Sequence, residues 1–128
     1  MVTEITEGVK VTVVTEYQPD YSSPDQDHFV FTYHVVIENN SNITLKLLRR
    51  QWFIVDASYP QREVEGEGVV GKQPVLEPGT IHKYVSGCNL KSGIGSMQGY
   101  YLMERLVDGK KFKVAIPEFR MLAPYRLN

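Results

Sequence analysis

Val9, Val11 and Val13 alternate with Lys10 and Thr12. A period of two predicts a strand over 9–15 with one buried face. Gln18–Asp27, QPDYSSPDQD, breaks the alternation with polar residues and two prolines and reads as a loop. The alternation returns in HFVFTYHVVIE, 28–38. Phe29, Phe31, Tyr33, Val35 and Ile37 share one face, and Val30, Thr32, His34 and Val36 the other. NNSN, 39–42, is a turn by composition, because Asn and Ser side chains hydrogen-bond to nearby backbone. Residues 43–57 form the next extended segment. There Ile43, Leu45 and Leu47 lie on one parity and Trp52 and Ile54 on the other, so a β-bulge is expected near Arg49–Arg50.

Residues 62–68, REVEGEG, read as a weak edge strand. EPGT, 77–80, places Pro and Gly as a type II turn requires. A strand follows over 80–87, then CNLKSGIG as a loop, then a strand over 96–107. Asp108–Gly109 predicts a two-residue hairpin turn. That turn would set Val107 opposite Lys110, Glu104 opposite Lys113, Met103 opposite Val114 and Tyr101 opposite Ile116, leaving one apolar face. Pro117 is expected to end ladder pairing beyond it.

No segment has the pattern of an amphipathic helix ten residues long. About seven short strands with frequent turn signals predict an all-β fold: an antiparallel β-sandwich of the immunoglobulin or fibronectin type III kind. Residues 1–128 are read as one domain, a length that buries roughly two-thirds of the unfolded surface. Trp52 suits the core of such a sandwich. The absence of a cysteine pair favours the fibronectin-like variant.

Composition narrows the function classes. Fourteen Lys and Arg against fifteen Asp and Glu give a net charge of −1, without the basic excess of a nucleic-acid or anionic-membrane binder. Cys88 is the single cysteine, so no internal disulfide forms. The opening MVTEITEG has neither the basic nor the apolar region of a signal peptide. Both features point to the cytoplasm. No apolar run approaches the ~20 residues of a membrane span.

The sharpest motif is GEGVVG, 66–71, with the spacing G-x-G-x-x-G. A dinucleotide fingerprint needs a helix next and an acidic residue about twenty positions on. Pro74, Pro78 and Gly79 leave no room for the helix, and YVSGCNLK, 84–91, holds no acid. A Walker loop fails as well, for want of the following G-K-[ST]. Two readings remain. In one, the amides around Gly66, Gly68 and Gly71, with Lys72, cradle a phosphate, and Lys91 and the Arg49–Arg50 pair add charge if folding brings them near. In the other, the glycines permit positive φ in a bulged connection crossing between the sheets.

Other chemistry is sparse. His28 and His34 stand about 20 Å apart along one strand, too far to share a metal. Asp20, Asp25 and Asp27 lack the calcium-loop pattern. Cys88 has no catalytic signature around it and reads as a small buried thiol. LKLLRRQWF mixes bases with an aromatic residue, as an RNA-binding strand would, but the basic residues are few. Eight tyrosines, with Tyr100 and Tyr101 on opposite faces of one strand, serve either partner contacts or the core.

RRQWFIVDA, VEGEGVVGKQPVLEPGTIHKYVSGCNLKSGIGSMQGYYLME and FKVAIPEFRMLAP together cover about two-thirds of the chain. In them the chain resembles the ApaG domain family, bacterial proteins named for an operon shared with a dinucleoside tetraphosphate hydrolase. The resemblance implies a fibronectin III-like sandwich. Similar domains are fused to an F-box protein and occur in a polymerase-interacting protein in eukaryotes, which implies protein contacts. It also implies an indirect link to cobalt and magnesium efflux, and nucleotide or pyrophosphate binding that would rest here on Gly66, Gly68 and Gly71. Gln51 stands where relatives often carry histidine.

The functional expectation is therefore a non-enzymatic cytoplasmic module, monomeric or homodimeric, that binds a protein partner without cofactor or metal. The alternative is a binder of a phosphate-containing small molecule through Gly66, Gly68, Gly71 and Lys72. An enzyme acting on nucleotides is disfavoured, since no acid–base or nucleophile constellation is visible.

Overall fold

The fold was analysed in a computed structural model, which describes residues 1–124. Two antiparallel sheets stack as the expected β-sandwich. The first contains β1 (Val2–Thr6), β2 (Val9–Tyr17), β3 (Phe29–Asn39) and β7 (Ile81–Leu90), in the order β1-β2-β3-β7. The second runs in the order β5-β4-β8-β9, from β5 (Arg62–Glu67) and β4 (Leu45–Asp56) to β8 (Ile94–Arg105) and β9 (Lys111–Leu122). The short β6 (Val75–Leu76) also pairs with β4. Two 3₁₀ turns, Pro19–Tyr21 and Pro24–Gln26, fill the loop before β3. Among the described residues no helix is long and apolar enough to cross a membrane.

The alternating residues make the core as their parity dictates. Val9, Val11 and Val13 of β2 and Phe29, Phe31, Tyr33, Val35 and Ile37 of β3 are buried. Trp52 faces them from β4, its ring 5.2 Å from Tyr33 and 5.9 Å from Phe119 in edge-on geometry, an arrangement that adds about 1 kcal/mol per pair to area burial. Leu45 and Leu47 are buried on one parity and Trp52 and Ile54 on the other. The switch occurs at a register shift between Leu47 and Arg49 in the β4–β8 ladder, one residue earlier than the expected bulge.

Several expectations need correction. Among the described residues there are nine strands rather than about seven. β1 escapes the alternation rule because its central residues are exposed, and β6 is too short to show a period. β7 continues through Cys88–Leu90, so only 91–93 remain as the loop before β8.

The last hairpin is shifted by two residues. Glu104 pairs with Lys111, Met103 with Phe112 and Tyr101 with Val114. A two-residue type I′ turn requires positive φ at both central positions, whereas here Gly109 (φ 72) has it and Asp108 does not. The chain closes instead through a longer loop, with Arg105 N–H donating to Lys110 O (2.8 Å) and Gly109 N–H to Arg105 O (2.8 Å). A shift of two preserves parity, so the same residues are buried.

Pro117 does not end the ladder. It falls at a second register shift, opposite Met97–Gly99, and pairing resumes at Phe119. A bulge in a strand at the sheet edge tolerates the missing N–H.

Candidate functional site

The glycine loop follows directly from the β4 bulge. Leu48 O accepts Gly68 N–H at 2.8 Å and Gln73 Nε2 at 3.0 Å. This holds the segment after β5 against β4. Val69 and Lys72 then exchange two backbone bonds, 2.8 and 3.0 Å, across Val70 and Gly71. Both turn residues have positive φ, 47 and 75, the pair a type I′ turn requires. The segment is thus a hairpin between two strands that both pair with β4. The expectation of a crossing between sheets is corrected: a bulged backbone carbonyl and a primed turn keep the chain within one sheet.

Each glycine has its own reason. Gly68 has φ 63, and a Cβ there would lie 2.0 Å from Lys72 O. Gly66 is extended, but its Cβ would meet Arg50 Nη1 at 2.9 Å and Nη2 at 3.0 Å. Gly71 meets the turn's φ requirement. The amides of Gly68, Val69 and Lys72 donate to backbone carbonyls. Two carbonyls, Glu67 O at 3.1 Å and Gly68 O at 3.0 Å, accept from Arg50 Nη1. Lys72 lies exposed in a shallow depression shared with Glu67, Gly71 and Gln73. Of the other cations considered for the loop, Arg50 reaches it. Arg49 pairs with Glu65 at 3.3 Å, and Lys91 sits over the Tyr59 ring, 5.4 Å from its centroid.

Arg50 also opens the view to a larger feature. β5 and β7 are edges of opposite sheets, and a cleft runs between them. It holds two adjoining cavities of about 190 Å³ each, both lined by Tyr33, Arg50, Trp52 and Ser86. Arg62, Val64 and Cys88 line one, and Tyr84 and Val70 the other. No Asp or Glu lines either cavity. Arg62 spans the cleft, its Nη2 donating to Asn89 O at 2.6 Å and lying 3.9 Å from Cys88 Sγ.

The hydroxyls in and behind the cleft are neutral. Burial raises the Tyr33 pKa, opposed by a hydrogen bond with Ser86. Burial also raises Tyr84 and, further, Tyr101, whose hydroxyls hydrogen-bond to each other. Cys88 is raised by burial and drawn partly back by the Arg62 guanidinium. His82 is lowered by partial burial first and by Lys72 second. The site thus presents fixed cations, neutral hydroxyls and an indole floor. Among the described residues no group of three His, Cys, Asp or Glu is close enough to hold a metal. His34 is exposed on the outer face of β3, while His82 pairs opposite Ile37.

Sequence reasoning did not find Arg62, Tyr84 or Ser86 as site residues. Arg62 comes from β5 and Tyr84 and Ser86 from β7 of the other sheet, and nothing in the sequence between them signals that they converge. The one available clue was parity: Tyr84, Ser86 and Cys88 alternate on one side of β7.

Comparison with known proteins places this arrangement in a family. A family model described as the ApaG domain matches residues 19–105. The chain is 42% identical over 120 residues to the ApaG protein of Pseudomonas putida, covering 94% of each. It is 46% identical over 131 residues to that of Paramagnetospirillum magneticum, covering 100% of each. The crystal structure of an ApaA protein from Bordetella pertussis superposes with a TM-score of 0.86 at 40% identity, covering 91% of this chain and 94% of that one. By sequence along nearly its whole length and by fold, the chain belongs to the ApaG domain family.

Proposed function

We propose that this protein is a non-enzymatic cytoplasmic module that recruits a protein partner by strand addition at β7. The observation that carries this reading is the edge of that strand, the least defended of the four sheet edges. β7 is ten residues long and pairs with β3 without a bulge. Its outward residues include Ile81, 54% exposed, and Val85, 50% exposed. Exposed edges are commonly blunted by charge, proline, bulges or shortness. The other edges have such devices: Glu63, Glu65 and Glu67 on β5, Pro117 and a bulge on β9, and five residues only in β1. On β7 the exposed parity runs Ile81, Lys83, Val85, Gly87, Asn89, with Lys83 its one charge. An extended segment laid along this edge would gain main-chain hydrogen bonds and alternate side-chain contacts with Ile81 and Val85.

The test is affinity capture with the wild type, with Ile81→Lys/Val85→Lys, and with Glu63→Lys as a control on the opposite edge. One defined partner should bind the wild type and the control, weaken at least about tenfold with the double variant, and protect β7 amides from hydrogen exchange. Both replaced side chains are half-exposed, so each change should cost no more than about 0.5 kcal/mol of stability. Retention of the partner by the double variant, or no protection in β7, rejects strand addition.

A further inference from the structure

We propose that the cleft between β5 and β7 is a binding site for a small organic anion, a carboxylate or phosphate on an apolar body, held by Arg50 and Arg62. This site uses the inward side of β7 and does not depend on strand addition at its edge. Its charge is anomalous for the chain. Acidic residues outnumber basic ones by fifteen to fourteen, yet the two adjoining cavities gather two guanidiniums and no carboxylate. Among the described residues neither Arg50 nor Arg62 is in a salt bridge. Arg50 is half-buried and Arg62 exposed; a half-buried cation without a counter-ion is costly, and an incoming anion offsets that cost at Arg50.

The geometry suits a bound anion. The Nη1 of Arg50 is committed to Glu67 O and Gly68 O. This fixes the guanidinium plane and leaves its Nε–Nη2 edge, the side that grips a carboxylate or phosphate with two parallel bonds, without an acceptor among the described residues. Gly66 makes room for that plane, since a side chain there would strike both terminal nitrogens. Arg62 is anchored on Asn89 O from the other strand. Ser86 lines both cavities and supplies a hydroxyl.

The ligand's body follows from the walls. Trp52, Ile54, Val64 and Met97 line the cavity that Arg62 enters. A cavity of ~150 Å³ accepts benzene, so about 190 Å³ beside two arginines suits one ring with an anionic head. The G-x-G-x-x-G segment then acts as the mount of Arg50, and its amides are not the ligand's donors.

Phenyl phosphate, benzoate and inorganic phosphate would each be titrated against the full chain by NMR and calorimetry. Phenyl phosphate or benzoate should bind with millimolar affinity or better, shifting the Ser86 and Gly87 amides and the Trp52 indole and slowing alkylation of Cys88. The tighter of the two identifies the head group, and weaker binding of inorganic phosphate confirms the apolar contact. Arg62→Gln and Ser86→Ala, both folded by NMR, should weaken binding about tenfold and threefold. Lys72→Ala should leave it within about twofold. Absence of shifts at about 10 mM of all three probes overturns the site. So does binding that survives Arg62→Gln and Ser86→Ala unchanged but is lost with Lys72→Ala.

Discussion

Gly66 and Gly68 are two positions apart and exclude a side chain for unrelated reasons, which separates their substitutions. At Gly68 the obstacle is backbone: Lys72 O would lie 2.0 Å from a Cβ, and φ is 63. Gly68→Ala should cost roughly 2–4 kcal/mol, from left-handed strain plus a clash that only backbone movement relieves. At Gly66 the obstacle is the mobile end of Arg50. Gly66→Ala should cost about 1 kcal/mol, chiefly the displaced hydrogen bonds of Arg50 to two carbonyls, while impairing anion binding in the cleft. Urea denaturation of the two variants checks the order, and equal losses would contradict this account. A G-x-G-x-x-G pattern shows that glycine is needed three times but not what stands opposite each one. Those neighbours, Arg50 and the Lys72 carbonyl, are set by strand pairing.

At the scale of elements, the alternating strands were legible and their punctuation less so. β2, β3 and β4 bury the residues their period assigns, including the parity switch before Trp52. β6 has no period to read, because a side chain from elsewhere holds it. Asn39, fully buried, donates from Nδ2 to Ile43 O at 2.9 Å and to Leu76 O at 2.8 Å, while its Oδ1 accepts Ser41 N–H and Oγ–H. This one amide shapes the turn after β3 and docks β6. Asn39→Ala should destabilise the fold by about 2–4 kcal/mol, through several lost bonds and buried carbonyls left unpaired. Hydrogen exchange at Val75 and Leu76 should rise more than at β2. Unchanged protection in β6 would remove Asn39 from this role. The hairpin register was misread for a related reason. Asp108–Gly109 is a local turn signal, but the closing loop also docks on Thr44, whose O accepts Leu106 N–H at 3.1 Å, a contact beyond local propensity.

At the scale of the whole molecule, the two sheets meet electrostatically as well as through their core. His82 belongs to the edge of the first sheet, and Lys72 to the hairpin of the second. Partial burial and then Lys72 lower the pKa of His82 below its ordinary 6.5. The unfolded chain therefore takes up the proton first. His82 leaves stability unaffected above about pH 6.5, reduces it as pH falls from there to the folded-state value, and adds no further loss below. The melting temperature of the wild type should fall more between about pH 7.5 and 5 than that of His82→Gln. Parallel curves would show that folding does not lower the pKa of His82.

What the sequence determined by itself was the class of fold and the identity of its core. A period of two is a property of neighbouring residues, and burial on one face follows from it without knowledge of partners. Family membership is equally local, carried by stretches such as QPVLEPG and IPEF. The tertiary structure alone decided the register of the last hairpin, the mounting of Arg50 over Gly66 and the cleft where Arg62 meets Ser86 and Tyr33. These depend on which strand edges come together, and a site assembled from five strands leaves at most the parity of one of them in the sequence.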